Sequence, residues 1–232
     1  MRERIAKPGP GPTAAMAAII VAATAGSALA DIETSTRYRH YTISGATALQ
    51  LVKDMVRRGP KVGGGEALAS IDSDVKFDGR FRPGSRCAIQ DLDIKARFVI
   101  TLPRLRAERA VPRRTRGNFR AFYNSAKRHE ETHRAISLKC LGRIRAKVRG
   151  LRKLADCQRV KRQIRRIVDA EGRICRRQHD AFDRREQRKL WASVFMRQVV
   201  AEAKASNTNT DQIRRSVRRG LVRPWLEGDR SR

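Results

Sequence analysis

Two of the four histidines in this 232-residue chain lie four residues apart, in His129-Glu130-Glu131-Thr132-His133. On a helix, positions i and i+4 share a face, so both imidazoles can converge on one zinc ion. Glu130 projects beside them, where it can accept a proton from a water whose pKa the zinc has lowered. Attack of that water on a carbonyl, with Glu130 returning the proton to the leaving amine, is peptide hydrolysis of the HExxH type. Composition alone expects about 0.003 occurrences of this pattern, so chance is a poor account of it.

A catalytic zinc needs a third protein ligand. The extended pattern HExxHxxGxxH is absent, because Ile136, Lys139 and Cys140 follow instead. The ligand must therefore come from another element. A second helical stretch follows the first, and a turn centred near residue 153 would place residue 131 opposite residue 175. Glu171, Cys175, His179 and Asp183 lie near that level, and the last three share a face. Cys175 is better matched to Cys140, since each sits on the inward line of its helix. His179 and Asp183 remain as candidate zinc ligands, with Glu186 one turn further. The remaining histidine, His40, sits beside Tyr41 in an N-terminal strand and reads as a strand-surface residue.

The elements that position these residues follow from apolar spacing. In the first long helix, Phe119, Phe122, Ala126, His129, His133, Ile136, Cys140, Ile144, Val148 and Leu151 recur at steps of three and four. In the second, Leu154, Cys157, Val160, Ile164, Ile167, Glu171, Ile174, Gln178 and Phe182 do the same, which predicts an antiparallel helical hairpin. Upstream, Arg37–Ser44, Asp74–Phe81 and Ala88–Leu102 read as strands, and Ala46–Arg58 as a helix ending at Gly59-Pro60. The glycine-rich segment 61–67 reads as a loop. It lacks the GxxxxGK[ST] arrangement of a phosphate cradle. Residues 104–117 read as a basic, proline-bearing loop. The expected fold is α+β: a small antiparallel sheet with one helix, then the long hairpin carrying HExxH, then a helical C-terminal tail.

Residues 1–30 carry the pattern of a signal peptide. Arg2, Arg4 and Lys7 precede the apolar run 14–26, and Ala28-Leu29-Ala30 offers small residues for cleavage after Ala30. An uncleaved anchor is the alternative reading of the same run. Cleavage leaves a metallopeptidase-like domain over 31–190 and a basic helical tail over 191–232, in the periplasm or outside the cell. In an oxidising compartment the four cysteines are expected to form disulfides. They include no CxxC pair that would suggest a structural zinc knuckle.

With 53 Lys and Arg against 23 Asp and Glu, the formal charge is +30. Such a charge favours anionic partners, here envelope polymers or lipid headgroups. Two Trp, three Tyr and seven Phe provide no clustered platform for stacking bases, which argues against specific nucleic-acid recognition.

Several segments resemble the DUF922 family of exported bacterial proteins, read as zinc-dependent proteases. They are Tyr41-Thr42-Ile43-Ser44-Gly45 with its following helix and Gly59-Pro60, Cys87 leading into Ile100-Thr101-Leu102-Pro103, His129 through Arg134, Cys157, and Phe182-Asp183. The resemblance covers residues 37–190. It implies a zinc metallopeptidase-like domain and a Cys87–Cys157 disulfide. The family usually carries Tyr-Asp-x-x-Thr-x-His-Gly near the end of the second long helix. Here Asp183 is kept, but Arg188 stands at the position of that histidine. If that histidine is the family's third ligand, this chain has either lost zinc or recruited a substitute such as His179.

The sequence thus supports an exported zinc endopeptidase acting on a peptide or protein substrate, with Zn²⁺ as cofactor and Glu130 as base. The alternative is a catalytically inactive relative that binds envelope polyanions or the membrane surface through its basic helices.

Overall fold

The computed structural model describes residues 32–62, 65–151, 154–209 and 211. The expected leader over 1–30, and residues 210 and 212–232 of the expected helical tail, lie outside the described residues.

Alternating side chains place two long strands in one sheet. In β5 (Ala88–Leu105), Leu92, Ile94, Ala96, Phe98, Ile100 and Leu102 point to one face and are buried. β4 (Ser70–Arg82) pairs antiparallel with it, with a register shift between Arg80 and Phe81. β1 (Glu33–Ile43) lies on the other side of β5 and runs parallel to it, giving the order β1-β5-β4. The sheet is therefore mixed rather than antiparallel. β1 is followed by the return run of α1 (Ala48–Arg58), which allows β1 and β5 to point the same way.

Two further boundaries differ from those read from the sequence. β5 continues through Pro103 to Leu105, and α2 (Arg113–Arg149) begins after Pro112, so little of 104–117 is loop. Pro103 is tolerated because β4 pairing has ended at Thr101, leaving one edge of β5 open there. Part of the glycine-rich segment forms a two-stranded ribbon, β2 (Lys61–Val62) with β3 (Gly65–Glu66).

The helical hairpin consists of α2, 37 residues long, and α3 (Cys157–Ala192), 36 residues long. Asp156 caps α3 by accepting from the Arg159 amide at 2.7 Å. The C-terminal half of α2 lays Leu141, Ile144 and Val148 on the inner face of β5, with Ile164 and Ile167 of α3 at the margin. A second core joins α1, the N-terminal half of α2 and α4 (Val194–Ala205). There Phe195 meets Phe119 and Phe122, with ring centroids 5.8 and 5.1 Å apart. The stretch assigned to the tail is, over α4, a core element.

Two disulfides fix the hairpin. Cys140–Cys175 joins α2 to α3, as their inward positions suggested, and Cys87–Cys157 ties the start of α3 to the start of β5. Beside the second, Leu154 and Cys87 exchange backbone hydrogen bonds of 2.8 and 3.0 Å. The contacts of His133 with His179 and of both His129 and His133 with Asp183 show that α3 is staggered along α2. The level of residue 131 falls between His179 and Asp183, beyond Cys175.

Near Cys140–Cys175, Glu171 of α3 is 1% exposed and meets Arg143 at 2.8 Å and Lys147 at 2.5 Å. These cations, on α2, hold its carboxyl below the usual range. Both cations are partly exposed and rehydrate if the acid is removed. Glu171→Ala is therefore expected to lower stability by about 1–2 kcal/mol, less than loss of a fully buried pair. Denaturant unfolding checks this.

Candidate metal centre

His129 and His133 lie one helical turn apart on α2, and Asp183 reaches them from α3. Nε2 of His133 is 2.8 Å from Asp183 Oδ1 and 3.1 Å from Nε2 of His129. His129 Nε2 is 3.2 Å from the same carboxylate oxygen. Donor atoms bound to a tetrahedral zinc at about 2.0–2.1 Å are roughly 3.3 Å apart, so a slight opening of this triangle accommodates the ion. His133 and Asp183 are buried, and His129 nearly so. Two imidazoles and one carboxylate form a group that could hold a metal.

Phe182 and His179 complete the surroundings. The Phe182 ring packs 4.8 Å from His129 and 5.0 Å from His133, limiting the rotation of both imidazoles. His179 does not join the triangle. Its Nδ1 lies 2.7 Å from Nδ1 of His133, and its Nε2 lies 3.4 Å from the Ser137 hydroxyl. If His133 offers Nε2 to a metal, its proton sits on Nδ1 and is donated to His179. His179 then carries its own proton on Nε2, facing Ser137. Ser137 was missed in the sequence, although it continues the stripe one turn past His133.

The charges are arranged in opposition. Burial pulls His129 down, but the hydrogen bond to Asp183 and the charges of Glu130, Asp183 and Glu186 outweigh it and hold His129 above the ordinary histidine value. Burial raises Asp183, but hydrogen bonds from His129 and His133 outweigh that and hold it below the usual carboxylate range. Glu130, 6% exposed, is pushed up by burial against the pull of the two histidines. His179 is lowered to about 4 by burial and by the charge of His133.

The His179 shift has a testable consequence for the metal-free protein. An unfolded histidine titrates near 6.5, so between about pH 6.5 and about pH 4 the unfolded chain holds the extra proton. His179 therefore makes stability fall as pH drops through that window and contributes nothing above it. His179→Gln should flatten that part of the curve of melting temperature against pH. The same variant should weaken zinc binding by about 10- to 100-fold, the usual cost of losing a partner that orients a ligand.

The other candidates lie apart from the triangle. Glu186 pairs with Lys189 at 2.7 Å, and Arg188 is exposed. His40 meets Tyr123 at 3.1 Å across to α2, and Tyr38 donates to Glu131 at 2.9 Å. Beside the triangle opens a pocket that His129 and Glu130 line together with Leu68, Phe122, Ala126 and Leu190. No signal in the sequence joined those four residues, which come from a strand linker and two helices.

A sheet-backed helical pair carries HExxH on one helix and a converging aspartate on the other, and together they form a His-His-Asp group that could hold a metal. The chain belongs to the DUF922 family, described as bacterial protein of unknown function, whose model matches residues 38–189. No curated protein and no solved structure matches the chain.

Proposed function

We propose that the protein is an exported zinc endopeptidase in which His129, His133 and Asp183 hold the metal and Glu130 is the general base. The observation that carries this is the triangle of two imidazole nitrogens and one carboxylate oxygen, all within 3.2 Å of one another, with a buried glutamate beside it. Bound zinc would polarise a carbonyl and lower the pKa of a coordinated water. Glu130 takes the proton of the attacking water and returns it to the leaving amine. Its raised pKa, caused by burial, suits a group that must both accept and release a proton. His179 orients His133, and Phe182 packs against both histidine rings.

The same donor set also suits ferrous iron. The HExxH glutamate at the metal's side favours zinc and hydrolysis. The zinc-loaded protein should cleave a casein-like substrate, and a chelator should stop it. A zinc-loaded protein with no peptidase activity contradicts the proposal. Export is supported by the two disulfides, which persist in oxidising compartments. No helix among the described residues is long and apolar enough to cross a membrane.

One observation favours the second reading, an inactive relative that binds anionic envelope polymers. Arg162, Arg166, Arg173, Arg177, Arg184 and Arg188 are exposed along α3 over about 39 Å, and none forms an ion pair among the described residues. Salt-dependent retention on a linear polyanion, with no zinc-dependent cleavage of any protein substrate, would decide for it.

A further inference from the structure

The pocket beside the triangle has a fixed apolar wall. Leu68 and its neighbours enter it from the linker between β3 and β4, held there by two backbone contacts. The Tyr41 hydroxyl donates to the Leu68 carbonyl at 2.7 Å, and the Ala67 amide donates to the Pro60 carbonyl at 2.8 Å. Gly59 is needed for this approach, because a Cβ there would lie 2.3 Å from the Ala67 oxygen and 2.5 Å from that of Met55. Phe122 and Ala126 of α2 face this wall, and Leu190 of α3 closes the pocket.

Its charges narrow the choice of occupant. Glu186 and Lys189 both line the pocket and neutralise each other at 2.7 Å. Glu130 is the other acid on the lining, and an acidic occupant would have to be desolvated beside it and against the apolar wall. A basic side chain would have to be desolvated against Leu68, Phe122 and Leu190. An uncharged aliphatic chain meets neither obstacle and replaces water against Leu68, Phe122 and Leu190.

We infer that this pocket is a specificity site that receives a medium-sized aliphatic side chain, of the leucine or valine class, from the residue flanking the scissile bond. The inference rests on the peptidase reading of the metal centre and adds a substrate class to it. Continuity supports the assignment. His129 belongs to both the ligand triangle and the pocket, with Glu130 beside it on the lining, so a chain whose carbonyl lies at the metal has a neighbouring side chain within reach of the apolar wall.

Two zinc-directed probes test the pocket without turnover. On the zinc-loaded full chain, an isobutyl hydroxamate is expected to bind roughly 10- to 60-fold tighter than acetohydroxamate, the yield of burying three more carbons. Ala126→Leu should erase that preference by filling the pocket. Ala69→Leu, on the other wall, should do the same if the first variant fails to fold. Acetohydroxamate reports whether the metal centre is intact. Equal affinities in the wild type overturn the pocket and leave the metal centre standing. A preference with no cleavage of Leu-containing peptides keeps the pocket and removes the peptidase reading. Failure to bind zinc, or failure of both hydroxamates to bind the loaded protein, removes both.

Discussion

Replacing Glu130 with glutamine should reduce peptide hydrolysis by about 10²- to 10⁴-fold while leaving one zinc bound. The two outcomes separate because Glu130 belongs to the pocket wall and not to the ligand triangle. Glutamine keeps the size of the side chain but cannot take a proton from water. Burial raises the glutamate pKa, so the proposed peptidase activity of the wild-type protein should fall as pH drops into the range where Glu130 stays protonated. His129 adds to this loss, because its raised pKa means that a proton competes with the metal as pH falls. The glutamine variant should keep the His129 effect on zinc binding and have no residual pH profile from position 130. If it cleaves as fast as the wild type, the assigned base is wrong.

The second large effect is on stability. The two disulfides close loops of 70 and 35 residues, and each should contribute about 2–5 kcal/mol. Cys140 lies two turns from His133 on α2, and Cys175 one turn from His179 on α3, so this bridge also sets the spacing of the ligand-bearing helices. Cys140→Ser with Cys175→Ser should lower both the unfolding free energy and the affinity for zinc. Removing Cys87–Cys157 should lower stability with a smaller effect on zinc, because that bridge lies at the far end of the hairpin. Denaturant unfolding and zinc titration on the two double variants measure these effects separately. Four free thiols in the unfolded, unreduced protein would contradict both bridges.

The parts of the fold that follow from short-range spacing were legible in the sequence. The stripe through His129, His133 and Cys140 located the inward line of α2, and with its counterpart on α3 it indicated Cys140–Cys175. The same spacing brought His179 and Asp183 to the site. It could not separate their roles, because that depends on the stagger of α3 along α2. The direction of β1 was not legible either. β1 is mostly exposed, and its pairing with β5 joins segments far apart in sequence. α4 looked like a tail because its apolar residues find their partners on α1 and the start of α2. The pocket was hidden for the same reason, since Leu68, Phe122 and Leu190 meet only in the folded chain. Arg188, at the position of the expected histidine, is exposed, while Asp183 lies against both His129 and His133.

The central claim is that His129, His133 and Asp183 together hold zinc. Titration of the metal-free full chain with zinc tests it most directly, with metal content read on the wild type and on Asp183→Ala. The account predicts one zinc per chain. It also predicts a loss of affinity in the variant greater than about 100-fold, beyond what a merely supporting partner costs. A wild-type chain that takes up no zinc, or an Asp183→Ala variant that binds it equally well, would contradict it.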